Sequence, residues 1–190
     1  MEPEKMAVTG IILVVVVVGL TLGVSVLTFQ SPEGSGNDTT LTGIVADRDL
    51  LELGLQVPTD WAFEMADGTT QSISALSGQI ILVDLMATWC SSCSSQNAYL
   101  ETVYDNLAGS LVILSLSVDT SETATMLDDY QTTNGLPWDH GLDTGSSFTE
   151  YFQVTNVPTL ILIDGDGYFR YMHIGLWSDI VITDKAASIM

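Results

Sequence analysis

The distribution of hydrophobic and polar positions divides the chain into three stretches. Ala7–Phe29, AVTGIILVVVVVGLTLGVSVLTF, is an apolar run without a single charge. Its length is enough to cross a hydrocarbon core as one helix. A cleaved signal peptide has a shorter apolar core, roughly 7–15 residues, followed by small residues at a cleavage site. Here the sequence continues Thr28-Phe29-Gln30-Ser31-Pro32. A buried core helix would keep a polar face, which this run lacks. It reads as an uncleaved single-pass anchor, and residues 1–29 as a short tip plus that anchor. From Gln30 to Asp38 the chain is polar and Gly-rich, the composition of a flexible tether. Thr39–Leu55 mixes short apolar pieces with acids and Arg48, as a stalk or a first strand would. Residues 30–55 are thus a tether or stalk, and 56–190 a folded domain.

Within the domain the periodicity changes repeatedly. Trp61–Leu76 alternates around Asp67-Gly68, a hairpin signal. Gln79–Ala87, QIILVDLMA, is the continuous apolar run of a strand covered on both faces. Ser91–Leu107 has helical spacing, with Ala98, Leu100, Val103, Tyr104 and Leu107 near one side. Ser110–Asp119 is a second buried strand. Thr120–Asn134 predicts a helix with Thr120-Ser121-Glu122 as capping residues and Gly135 as its stop. Val157–Gly175 predicts two strands joined at Asp164-Gly165-Asp166-Gly167, and Trp177–Met190 a terminal helix. The order βαβα then ββα specifies a three-layer α/β domain with a mixed central sheet. No internal repeat is visible.

Composition narrows the partners. Hydrophobic residues make up 46% of the chain, enough for a real core, and the formal net charge is −20. The four basic residues are Lys5, Arg48, Arg170 and Lys185. Such a surface repels phosphate backbones and anionic headgroups, which argues against nucleic acid as a partner. An acidic surface almost without Lys is also the pattern of proteins that work in high salt, which bears on habitat and not on mechanism. Lys5 before the anchor, and no Lys or Arg after it until Arg48, favours a cytoplasmic N-terminus and an extracytoplasmic domain.

The chemistry rests on Cys90 and Cys93, the only cysteines. A structural staple across so short a loop removes little chain entropy. A zinc site needs further ligands at paired spacing, and His140 and His173 are far apart in sequence. Haem attachment needs a His after the second Cys, where Ser94 stands. The redox reading has positive support. Cys90 falls where a buried strand meets a helix, and unpaired N–H groups and the helix dipole there favour a thiolate. Such a sulfur both attacks and leaves readily, and Cys93, one turn on, can resolve the mixed disulfide.

VDLMATWCSSC, Val83–Cys93, resembles the active-site segment of thioredoxin-fold proteins. VTNVPTLILIDGDG, Val154–Gly167, is similar to the segment of that fold with the cis-proline loop. MADGTTQSISALSGQIILVDLMATWC, with the insert LPWDHGLD (Leu136–Asp143), resembles the membrane-anchored TlpA/ResA group, related to the AhpC/TSA proteins. The resemblance covers about 56–175. It implies a thioredoxin-like fold and a thiol–disulfide oxidoreductase without cofactor or resident metal, working through a Cys90–Cys93 disulfide. Its partners would be protein thiols and disulfides, together with a membrane electron donor or acceptor. Reductants that act in cytochrome c maturation belong to this group. By position, Cys90 would be the exposed nucleophile and Cys93 the buried resolving thiol. Pro158 would be cis beside them, and Val157 would offer its backbone to an incoming peptide. Trp89 would pack over the disulfide and shield it. Asp84 stands where thioredoxins keep a buried acid and where the TlpA/ResA group often carries Asn. Independently, an acid inside an apolar strand is desolvated, so its pKa rises and it can take the proton of Cys93.

Ser91-Ser92 departs from the usual dipeptides of both groups, and it tunes the potential. Tyr99, Tyr104 and Trp138 are expected in the core, and His140 and His173 in structural roles. Two alternatives stay open: a DsbA-like thiol oxidase, and a Sco-like copper chaperone using the cysteines with His173, although that group spaces its cysteines one residue wider. Peroxiredoxins carry Thr three residues before the active Cys, and Thr88 is only two before Cys90.

Overall fold

The computed structural model describes residues 47–49 and 54–190. The anchor, the tether and most of the stalk read from the sequence lie outside the described residues. Among the described residues no helix is long and apolar enough to cross a membrane.

The strand Ile80–Met86 (β4) runs through the middle of the domain, and all seven of its residues are buried. Such a strand is apolar throughout because both faces are covered. Ile81, Val83 and Leu85 face one core, and Ile80 and Leu82 the other. Around it the chain supplies β1 (Asp47–Asp49), the pair β2 (Ala62–Glu64) and β3 (Thr70–Ser72), β5 (Leu111–Ser117), β6 (Asp139–Leu142), β7 (Thr159–Ile163) and β8 (Phe169–Ile174). The helices are α1 (Ser91–Asn106), α2 (Ala124–Asn134), α3 (Ser147–Tyr151) and α4 (Asp179–Ala187).

Among the described residues six strands form one sheet in the order β1-β8-β7-β4-β5-β6. β4, β5 and β6 are parallel, whereas β7, β8 and β1 join through antiparallel pairings. The sheet is therefore mixed, as the order of elements predicts. Its edge strand β1 lies before residue 56, within the segment read as tether or stalk, and pairs Asp47 with His173. The β2–β3 hairpin turns at Gly68, whose φ of 78° suits a residue without a side chain.

One face of the sheet is covered by the hairpin and α3. There Trp61 lies against Phe148 at 4.7 Å between ring centres, and Phe152 against Phe169 at the same distance. Each edge-on aromatic pair is worth about 0.5–1.5 kcal/mol beyond the area it buries. The other face takes Leu100 and Val103 of α1 and Ile182 and Ala186 of α4.

Two details differ from the sequence pattern. The buried side of α1 runs through Cys93, Gln96, Asn97, Leu100 and Val103. Ala98 is exposed and Tyr99 is 37% exposed, so Tyr99 is not a core residue. Tyr104 is half-buried and Trp138 buried. The face is set by where Cys93 must point, and Gln96 satisfies its polar atoms on the backbone of Trp177 at 2.9 and 2.8 Å. The cap of α2 is Thr123, whose hydroxyl accepts from Met126 N–H, and not Thr120-Ser121-Glu122. Gly135 ends that helix in the left-handed region, at φ 65°.

Candidate active site

Cys90 is the N-cap of α1. Its backbone is extended, and its sulfur accepts the N–H of Cys93 at 3.1 Å. A polar side chain at this position caps an orphan donor of the first turn. Here the capping atom is the sulfur itself. Cys90 and Cys93 are joined in a disulfide. Cys93 is fully buried, and Cys90 is 7% exposed. The apolar surroundings of the pair are Met86 and Ala87 of the strand end, with Tyr130 and Val157 packed on them.

The Val157–Pro158 bond is cis. The Val157 carbonyl oxygen lies 3.8 Å from the Cys90 sulfur and 3.4 Å from the Ser92 hydroxyl, which is also 3.2 Å from that sulfur. In the disulfide the sulfur has no hydrogen, so the single Ser92 proton goes either to sulfur or to the carbonyl. The Pro158 carbonyl accepts from Gly175 N–H at 2.8 Å, which fixes the loop to the end of β8.

Trp89 does not lie as a buried shield over the disulfide. It is 70% exposed, and its indole N–H donates to Asp119 at 2.7 Å. That bond also helps to hold the Asp119 carboxyl below its usual range, after the larger effect of donors from Ser121. The preceding residue, Thr88, is held by the same short segment. Its N–H and hydroxyl donate to Glu122 Oε1 at 2.9 and 2.6 Å, and Ser117 donates to Oε2 at 2.5 Å. The loop between β5 and α2 therefore clamps both residues before Cys90. Glu122 sits in the run DTSETAT, where it looks like a solvated capping residue, and nothing in the sequence marks it as a buried anchor.

Asp84 is wholly buried. Ladder partners share a face, and the register aligns Leu160, Asp84, Ser115 and His140 in one row across β7, β4, β5 and β6. Asp84 shares its side of β4 with Met86, two residues on, which packs on the cysteines. Ser115 donates to Asp84 Oδ2 at 2.9 Å, and Oδ1 has no hydrogen-bond partner. Burial pushes the Asp84 carboxyl up to about 7, against the opposing effect of the Ser115 bond. His140 is buried too, and burial lowers its imidazole to about 4. Its Nδ1 faces the Trp138 carbonyl at 3.0 Å. A carbonyl only accepts, so Nδ1 carries the hydrogen, and the lowered proton affinity leaves the ring neutral near neutral pH. Besides Asp84 itself, the sequence sign of this polar row is Ser115, a polar residue inside the apolar strand LVILSLS.

His173 lies on β8, in register with Leu160, and its ring stacks on Trp177 at 5.2 Å. On that row it stands four strands from His140, about 19 Å at about 4.8 Å per strand. Among the described residues no group of three or more His, Cys, Asp or Glu is arranged to hold a metal ion.

Residues 78–169 match the family model described as thioredoxin-like. The chain carries a thioredoxin-like domain. The "Thiol-disulfide oxidoreductase ResA" of Bacillus thuringiensis is 24% identical over 134 residues, 70% of this chain and 76% of that protein. StoA from Bacillus subtilis superposes with a TM-score of 0.58 at 20% identity, covering 68% of this chain and 98% of that one. A thiol-disulfide isomerase from Corynebacterium glutamicum gives 0.63 at 18% identity, covering 73% and 97%. The two structures speak for the fold. The ResA homologues, the family match and the Cys90–Cys93 disulfide make this thioredoxin-like protein a thiol–disulfide oxidoreductase of the ResA type.

Proposed function

We propose that the protein is a membrane-tethered reductant of protein disulfides, with its catalytic domain outside the cytoplasm and clients such as the cysteines of a cytochrome c apoprotein. The observation that carries the redox role is Cys90 capping α1 while Cys93 is buried behind it. The apolar run 7–29 and the isolated Lys5 support the tether and its orientation. A tether raises the effective concentration of the domain near membrane-bound donors and clients.

In the reduced enzyme the Cys90 thiolate attacks one sulfur of a client disulfide. An S–S bond forms to Cys90, and the other client sulfur leaves as a thiolate and is protonated. The Cys93 thiol then gives its proton to the Asp84 carboxylate. The resulting thiolate attacks the Cys90 sulfur and expels the second client thiolate. Two electrons have passed to the client, and the Cys90–Cys93 disulfide remains. A membrane-held dithiol reverses these steps to restore the enzyme. The Val157 backbone next to the cysteines would take the client's main chain.

One observation favours the opposite direction. The Cys93 N–H and the Ser92 hydroxyl both reach the Cys90 sulfur and would stabilise its thiolate. Stabilising the reduced form makes a disulfide more oxidising, as in a thiol oxidase. The potential of the couple in the full-length chain separates the two. A value near the roughly −270 mV of thioredoxin supports the reductant, and one near the roughly −120 mV of DsbA overturns it. Topology has its own test. In a variant with both cysteines replaced and a reporter Ser35→Cys, an impermeant maleimide should label intact cells. Labelling only after lysis places the domain inside.

A further inference from the structure

The carboxyl of Asp84 is reached by one hydrogen bond, and the direction of that bond is fixed from behind. Trp138 Nε1 lies 3.0 Å from the Ser115 oxygen. An indole N–H only donates, so Ser115 accepts there, and its own proton is left for Asp84 Oδ2 at 2.9 Å. Ser115 and Asp84 are fully buried, and Trp138 nearly so. Water does not compete at this position.

We propose that Trp138 and Ser115 form a directional hydrogen-bond chain that sets the proton affinity of Asp84, which makes both of them positioning residues for the exchange. The proposal rests on the reading of Asp84 as proton acceptor for Cys93. A proton donated to a carboxylate favours its charged form, whereas burial opposes it. Ser115 is thus the counterweight that keeps Asp84 within reach of ionisation near neutral pH.

The groups facing Asp84 supply no substitute. At the start of α1, Cys90 and Cys93, against which Met86 on the Asp84 side of β4 packs, carry no titrating proton while joined. From α2 comes Tyr130, its phenol held up mainly by burial, with Asp84 and Glu122 adding smaller effects in the same direction. Its hydroxyl is bonded by Asn97 at 2.9 Å. From β6 comes His140, neutral because burial lowers it. β7 presents Leu160. Among the described side chains, the cations Arg170 and Lys185 are engaged elsewhere: Arg170 with Asp164, and Lys185 over the ring of Tyr171. Trp138 belongs to the insert 136–143, so this segment acts on the dithiol's proton acceptor through Ser115.

The test follows the Asp84 carboxyl carbon by NMR in the oxidised full-length chain across pH 4–9, where no thiol interferes. Ser115→Ala should raise the Asp84 midpoint by about one pH unit, a tenfold drop in its acid dissociation constant. Ser115→Thr, which keeps the hydroxyl, should restore the parent value. Trp138→Phe keeps most of the ring but frees the hydroxyl to rotate, and should raise the midpoint about twofold to threefold in the same constant. An Asp84 midpoint unmoved by Ser115→Ala, or not restored by Thr, overturns the chain. The exchange rate of Asp84→Asn as a function of pH tests the underlying reading separately. A profile like that of the parent would remove the proton-acceptor role while leaving the carboxyl titration as measured.

Discussion

Stability measured against pH should expose Asp84 and His140 as opposed buried groups. The Asp84 carboxyl is raised from 3.8 to about 7 by burial. Between those values the folded protein holds a proton that the unfolded chain has released. Stability therefore falls as pH rises through the window, by about 1.4 kcal/mol per unit. The interval of 7 minus 3.8 gives a loss of about 4 kcal/mol. His140 has the reverse sign. Burial lowers it from 6.5 to about 4, so in that window the unfolded chain binds a proton that the folded protein excludes. Stability is lost as pH falls, by about 3 kcal/mol over 6.5 minus 4. From pH 4 to 6.5 the two slopes nearly cancel in the parent. Asp84→Asn should unmask the His140 slope, and the variant should gain about 4 kcal/mol on the parent between pH 4 and 7.5. His140→Leu should unmask the Asp84 slope, gaining about 3 kcal/mol as pH falls from 6.5 to 4. Urea unfolding of the oxidised full chain, read by tryptophan fluorescence at half-unit steps, gives these slopes independently of any fixed offset from repacking. A difference between Asp84→Asn and parent that stays flat across the range would refute the account, because it would mean that burial does not govern the ionisation of Asp84.

Glu122→Gln keeps the shape of the clamp but loses the carboxylate on which Thr88 and Ser117 converge. It should cost about 1–3 kcal/mol and slow dithiol exchange. Unchanged melting and exchange rates would show that the clamp does not hold the loop. Gly141→Ala would bring a Cβ within 2.9 Å of the Glu64 carbonyl and 3.0 Å of the Met65 sulfur. Thermal unfolding should report a loss of about 1–3 kcal/mol, and parental stability would refute the close approach of hairpin and β6.

The strands and hairpins were legible because their signals are local. Continuous apolar runs at 79–87 and 110–119, and Asp-Gly pairs between alternating stretches, leave few other folds for the backbone. The cysteines were legible because the strand-to-helix junction that gives Cys90 its chemistry is itself a pattern of spacing. What escaped depends on contacts between distant segments. Gln96 reads as a surface residue until the backbone of Trp177, 81 positions on, satisfies its amide. Trp89 reads as a lid until Asp119 turns its indole outward. Glu122 and Ser115 carry polar groups whose burial is decided by partners 34 and 31 residues away. Side-chain hydrogen bonds of this range leave no periodic trace in a sequence.

The sheet ends in two blunt margins. β1 is three residues long, and β6 is four, with Met65 bridged to Gly141 on its outer side. Long unpaired margins recruit other chains and lead to aggregation. If the clients are unfolded chains, as proposed, the protein would meet loose extended segments at every turnover, and adhesive margins would be a standing hazard. With both margins short, main-chain pairing with a client would be left to the loop proposed for it at Val157, where contact would end in chemistry and release.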